Sequence, residues 1–195
     1  MRTFVWSFGL LLSAACGGPV SAVESIEGQK YVLEAVPGSE GLSLAMRYDS
    51  TGDAVLERGF VKKGIKTGTW EYFEPARDFP LKTVSMVDGV YQGVYIEYNE
   101  RGYTEMMAHY RNNKLHGQWV KYKFGQPVIS AMYKDGQLDG PYQEFNQSGK
   151  LTKEINYREG KENGPLRYYN DEGEVTVEYE FRDGQKVGGG LKNPE

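Results

Sequence analysis

The residues able to do chemistry in this chain are few and scattered. His109 and His116 are its two histidines, and Cys16 is its one cysteine. A zinc site needs three or four converging ligands, and a general base must reach the proton it removes. Two separate histidines supply neither, so solvated or structural roles are expected of them. Acidic turn clusters at Asp49-Ser50-Thr51-Gly52-Asp53 and Asn170-Asp171-Glu172-Gly173-Glu174 raise the question of calcium. That ion takes roughly six to eight oxygens, which the separate clusters do not gather, and turn chemistry accounts for the same residues. Glu154 and Glu178 stand at matched positions of neighbouring segments, yet a glycosidic carboxylate pair flanks a bound sugar in a cleft, not on an open surface. No Gly-x-Ser-x-Gly elbow, Walker loop or dinucleotide fingerprint is present. The sequence therefore predicts no catalytic residue, no metal and no cofactor, in a protein that is not an enzyme.

The elements around these residues follow a repeat. Gly140 to Gly164 reads GPYQEFNQSGKLTKEINYREGKENG, and Gly93 to Gly117 and Gly164 to Gly188 copy it; the anchoring glycines fall at 68, 93, 117, 140, 164 and 188. A fixed period in this range marks a repeat architecture. Each unit contains two kinds of tight turn. One opens with Asn or Asp and closes with Gly three residues later, as in Asn99 to Gly102 and Asn170 to Gly173, the pattern of a type I turn closed by a left-handed glycine. The other is Asp88-Gly89, Asn112-Asn113, Asp135-Gly136, Glu159-Gly160 or Asp183-Gly184, the signature of a two-residue hairpin. Two turns per unit leave no room for helical crossovers. The expected fold is all-β: an elongated antiparallel meander of ten to fourteen strands, built from about six tandem hairpins.

Alternation assigns the faces. One side collects Val175, Val177, Tyr179 and Phe181 in the last unit, and Leu151, Lys153, Ile155 and Tyr157 before it; this is the expected core side of a half-buried sheet. Trp70, Tyr95, Trp119 and Tyr142 lie two residues after their glycine, and Phe73, Tyr98, Tyr122, Phe145 and Tyr169 five after it. An odd offset of three requires either a bulge at the glycine or aromatics on opposite faces. Pro75-Ala76-Arg77-Asp78-Phe79-Pro80 replaces the second unit's turn, predicting a longer loop. The unit running into Pro127, Ile129, Ala131 and Tyr133 has lost one turn residue.

Four segments result. Residues 1–22 read as an export signal, with cleavage after Val20-Ser21-Ala22; alternatively the signal is 1–15, with lipidation at Cys16 after Ser13-Ala14-Ala15. Its apolar run, Phe4 to Ala15, is too short to span a bilayer as a helix. Residues 23–42 are a spacer with an N-terminal strand and cap, 43–188 carry the repeats, and 189–195 form a flexible tail. The expected location is the bacterial periplasm or cell envelope, soluble or lipid-anchored. With a net charge of −4 and no basic stripe, nucleic acid is not an expected partner.

The pattern Gly-x-Trp/Tyr-x-x-Tyr, turn glycine, Tyr-x-x-Gly-x-x-x-Gly resembles the MORN repeat, and more closely its bacterial YwqK-type antitoxin-like variant. Gly68, Trp70, Gly93, Tyr95, Tyr98, Gly117, Trp119, Tyr122, Gly140, Tyr142 and Gly164 carry the resemblance; Leu166, Asn113 and the second turn depart from it. The resemblance implies rows of hairpins in a single curled sheet with binding or scaffolding roles, and no catalytic residues. Function is therefore expected on a surface. On the outward face, Val87, Tyr103, Met107, Val128 and Met132 replace the polar residues found at the ends, predicting an apolar contact patch for another protein. The alternative is a carbohydrate- or cell-wall-binding module, because the same aromatic series could stack on sugars.

Overall fold

In a computed structural model of the chain, which describes residues 21–192, the described residues form fifteen strands and no helix. The strands are β1 (Ser21–Ile26), β2 (Gln29–Ala35), β3 (Leu42–Tyr48), β4 (Val55–Lys62), β5 (Ile65–Tyr72), β6 (Lys82–Val87), β7 (Val90–Tyr98) and β8 (Thr104–Arg111). They continue as β9 (Lys114–Lys123), β10 (Gln126–Lys134), β11 (Gln137–Phe145), β12 (Leu151–Arg158), β13 (Lys161–Tyr169), β14 (Val175–Arg182) and β15 (Gln185–Leu191). Each pairs antiparallel with the next in chain order, in one sheet running from β1 to β15. The meander of hairpins is as expected, one strand longer than the expected range. The sheet is open and uncurled, which corrects the overall curl implied by the resemblance. Two boundaries also move. The spacer from residue 23 onward is β1 and its turn, and residues 189–191 belong to β15. The signal segment, including Cys16, lies outside the described residues apart from Ser21 and Ala22, which begin β1.

Turn chemistry explains the meander. In Asp88-Gly89, Asp135-Gly136, Glu159-Gly160 and Asp183-Gly184 both residues have positive φ, as do Asn112 and Asn113; this is the type I′ geometry that matches strand twist. At the opposite edge, Asn99 Oδ1 accepts the amides of Arg101 and Tyr103, and Gly102 N–H closes the turn on the Asn99 carbonyl at 3.0 Å. Asn146 and Asn170 repeat this arrangement. The anchoring glycines Gly68, Gly93, Gly117, Gly140 and Gly164 are likewise left-handed. The pairing register of β4, β6, β8, β10 and β12 shifts near them. Both answers to the odd aromatic offset therefore hold: there is a bulge at the glycine, and the two aromatics point to opposite faces.

Buried side chains concentrate on the inner face. One rung runs through the register from Leu33 to Ala45 and Gly59, and crosses the bulge to Trp70. It continues through Val84, Tyr95, Ala108, Trp119 and Ala131 to Tyr142, Ile155, Leu166 and Tyr179. Large residues recur beside small ones along it, so rings fit between strands without added depth. Trp70 is wholly buried and lies against Gly59, where a Cβ would fall 2.4 Å from the ring. Its indole N–H donates to the Phe60 carbonyl at 3.0 Å, satisfying a group close to the bulge.

Over this rung leans the first hairpin. The Tyr31 ring meets Trp70 edge-on at 5.8 Å, although β2 and β5 are three places apart in the sheet. Its hydroxyl donates to Glu57 Oε2 at 2.7 Å. Glu57 also accepts from Arg47 Nε at 2.9 Å, and Lys66 Nζ lies 3.3 Å from it and 3.2 Å from Glu27 in the hairpin turn. Burial works to raise the Glu57 pKa, but hydrogen bonds from Tyr31 and Arg47 and the charge on Lys66 prevail and hold it below the ordinary carboxylate range. Tyr72, beneath the same lysine, is pushed up to about 12 by burial.

Candidate binding groove

From β3 onward the regular turns make one edge of the sheet uniform except at β5–β6 and β9–β10. At β5–β6 the chain inserts residues 73–81 in place of a tight turn, as the prolines predict. At β9–β10 it closes with only Phe124-Gly125, two residues where the other units use an Asn-led turn. The insertion and the deletion flank the ordinary β7–β8 turn between them, and together the three bound a groove of about 920 Å³. The molecule's two departures from its own repeat thus meet at one site.

Each wall has a local cause. The inserted loop is pinned by Leu81, whose N–H donates to the Tyr72 carbonyl at 2.7 Å and whose carbonyl accepts Tyr98 N–H at 2.9 Å. Phe79 then lies over Gly102, where a Cβ would press 3.2 Å from the ring. Inside the loop Arg77 pairs with Glu74 at 3.0 Å. Tyr98 ends β7, with its hydroxyl 3.5 Å from that of Thr83. Beyond the turn, Tyr103 is 63% exposed, and across the groove Phe124 is 84% exposed.

Phe124 is the unusual residue. It has φ of +53°, a conformation that costs a non-glycine residue about 1–2 kcal/mol and that the matching positions of other two-residue turns give mainly to Asp, Asn or Glu. With its ring exposed, packing within the chain does not offset that cost. A strained, solvent-facing aromatic is a reason to look for an outside contact. Arg77, Leu81, Asn99, Glu100, Arg101 and Glu105 complete the lining. The arginines balance the glutamates, so the groove is aromatic and near neutral.

The predicted patch is only partly brought together. All five residues keep their outward parity. Yet Val87 sits beside the Asp88-Gly89 turn at the far edge, roughly 25 Å along the strands from Tyr103 at a rise of about 3.3 Å per residue. Met107 is half-buried and shares its rung with Ile96 and buried Val120. Val128 fills the register shift of β10, and Met132 packs on Gly140, where a Cβ would be 3.0 Å from it. Only Tyr103 belongs to the groove. Phe124 and the loop residues were missed, although an aromatic in the first turn position, where other units carry Asp or Asn, was a readable signal.

The chemically suggestive residues find other partners. His109 Nδ1 lies 3.2 Å from the Gln118 carbonyl, and His116 Nδ1 accepts from Asp135 N–H at 3.3 Å. Asp49 is committed to its turn. Slight desolvation would raise its pKa, but donors from Ala54, Thr51, Asp53 and Gly52 hold it below the ordinary value. Glu154 and Glu178 do not face each other bare: Arg167 bridges them at 3.0 and 2.7 Å. Among the described residues no three His, Cys, Asp or Glu converge as metal ligands, and no helix is long and apolar enough to cross a membrane.

No protein-family model matches the chain, and no curated protein matches it. Among solved structures it is similar to one described as "Crystal structure of GtfA/B complex", at 14% identity and a TM-score of 0.32. The match covers 61% of this chain and 20% of that chain. A likeness so slight carries no argument.

Proposed function

We propose that this protein is a non-catalytic, exported binding module of MORN-like repeats that holds another protein at the turn-edge groove, in an immunity-like or envelope-scaffold role. One observation carries the reading: the inserted loop and the shortened turn bound the same groove, and the shortened turn holds an exposed Phe124 at positive φ. Exposed aromatics at a near-neutral site suit protein contacts, where Tyr, Phe and Arg are enriched. The groove's side chains are aromatic, guanidinium, amide and carboxylate, with no nucleophile beside a base, which favours binding over catalysis. Export rests on the apolar run before residue 16 and the small residues after it.

The test uses purified envelope fractions and a double variant, Phe124→Ser with Tyr103→Ser. Both side chains are exposed, so the fold should persist by far-UV circular dichroism. Wild type should be retained by an envelope protein, and the double variant should lose at least tenfold of that retention. Equal retention of both proteins sinks the groove as the contact site. A second reading draws on Tyr103 and Phe124 standing beside Asn99, Arg101 and Glu105, rings and polar groups that would also suit a sugar. Retention on purified cell-wall glycan, lost in the same variant, would select it.

A further inference from the structure

We propose that the groove receives a proline-rich segment of the partner in the polyproline II conformation, carrying a basic residue toward Glu100 and Glu105. This rests on reading the groove as a protein-docking site. Recognition of an extended chain commonly uses strand addition, a helix in an apolar trough, or a polyproline II segment on aromatic rings. Strand addition is closed here, because β7, β8 and β9 are each hydrogen-bonded to strands on both sides. A helix needs a continuous apolar trough, whereas this groove interrupts its rings with Asn99, Glu100, Arg101 and Glu105.

The third mode fits the spacing. Tyr98 ends β7, Tyr103 precedes β8 and Phe124 follows β9, so the rings come from three successive strands. Strands lie about 4.8 Å apart, placing Tyr98 and Phe124 on alternate strands roughly 9.6 Å apart. One turn of polyproline II is three residues of about 3.1 Å rise, roughly 9.3 Å. One turn of such a segment therefore spans about the distance from Tyr98 to Phe124, with Tyr103 between them. Its bare backbone carbonyls need donors, which Arg101 supplies. Glu100 and Glu105 have no ion-pair partner among the described residues, while Arg77 is tied to Glu74. The carboxylates are thus available to a basic residue on the segment, and they set its direction.

The test titrates the intact protein into a fluorescent synthetic peptide, ten residues of alternating proline and leucine pairs with one terminal arginine, and reads anisotropy. A control peptide has alanine for every proline at the same charge. The proline peptide is expected to bind wild type at least tenfold more tightly than the control, and Phe124→Ser should lose at least tenfold. Glu105→Gln should lose several-fold at low salt and little at 1 M salt, where the Debye length falls to about 3 Å. Equal binding of both peptides overturns the polyproline assignment. So does no peptide binding while the double groove variant still loses its envelope protein; docking at the groove then survives and only the ligand class fails. Failure of both measurements removes the groove reading itself. A β-1,4-linked oligosaccharide that binds wild type and not Phe124→Ser, with no peptide binding, overturns the proposal in favour of a glycan.

Discussion

The two halves of the sheet use the same repeat and bury it differently. From β1 to β8 the inner side chains, among them Trp70, Tyr31, Val84 and Ala108, form one connected buried cluster. From β9 to β15 the same rung is only partly covered: Ala131, Ile155 and Leu166 are buried, but Trp119, Tyr142 and Tyr179 remain half-exposed. The difference begins at the first hairpin. Tyr31 and Glu27 reach from it to Trp70 and Lys66, and the small residues Ala45 and Gly59 make room for the rings. No element covers the second half among the described residues; its tyrosines are held by neighbours such as Tyr157, 6.1 Å from Tyr142, and by lysines such as Lys153 and Lys186 over the rings. The repeat decides where an aromatic stands. Whether it becomes core depends on what lies above it.

The strongest way to break this contrast is to delete the same repeat position in each half. Trp70→Ala should cost about 3–5 kcal/mol, as large aromatic deletions from cores do. Tyr142→Ala, half-exposed at the equivalent place, should cost about 1–2 kcal/mol, in keeping with partial loss of buried apolar area. Urea unfolding of both variants measures it, and equal losses would show the halves to be energetically alike.

Next in size is the polar latch under the hairpin. Removing one partner of a buried ion pair strands the other, so Lys66→Met should cost about 2–4 kcal/mol. Because the Glu57 pKa is depressed in the fold, its contribution is full above the ordinary carboxylate value and is lost as pH falls through the depressed one. Lys66 is shifted the other way: burial opposes the charge, but Tyr72, Tyr31 and Glu57 raise its pKa, so it stays charged throughout that acid window. Tryptophan fluorescence during acid titration should report a change in wild type below the ordinary carboxylate range that Glu57→Gln abolishes; an unchanged titration in that variant would place the acid-sensitive group elsewhere.

A smaller effect separates two glycines. Gly59→Ala drives a methyl into the Trp70 ring and should cost about 1–3 kcal/mol. Gly188→Ala, in the uncovered half, meets open space at an ordinary φ, so its melting temperature should stay within a degree or two. The smallest effect has the opposite sign. Phe124→Asn relieves a left-handed aromatic and should add about 0.5–1 kcal/mol while weakening partner retention. A rise in melting temperature together with undiminished retention would show that Phe124 is not kept for contact.

Much of this was readable in the chain because each signal was local. Asp135-Gly136 can hardly be anything but a type I′ turn, and the alternation of Leu151, Lys153, Ile155 and Tyr157 fixes a face without knowledge of other strands. What escaped was non-local. Nothing near Tyr31 or Glu27 says that they will reach Trp70 and Lys66, and the polar character of residues 23–30 suggested a spacer where β1 and its turn lie. The groove failed for a related reason. The long loop and the shortened turn were each visible, but their meeting depends on both falling on the same edge, either side of the β7–β8 turn. Parity along a strand tells which face a residue takes and not which end, so Val87 and Tyr103 read as neighbours while standing at opposite edges.

Strict chain-order pairing has a mechanical consequence. Tension applied through the two chain ends does not load all the interstrand bonds together, because every strand is bonded only to the ones before and after it. An outer strand peels first, its few bonds breaking one by one in a zipper, and the next strand then becomes the new margin. Each event frees about a dozen residues, roughly 40 Å of extended chain. Under a single-molecule force probe the protein should lengthen in a staircase of small, low-force steps, with the highest step where Trp70 is torn from beneath the hairpin.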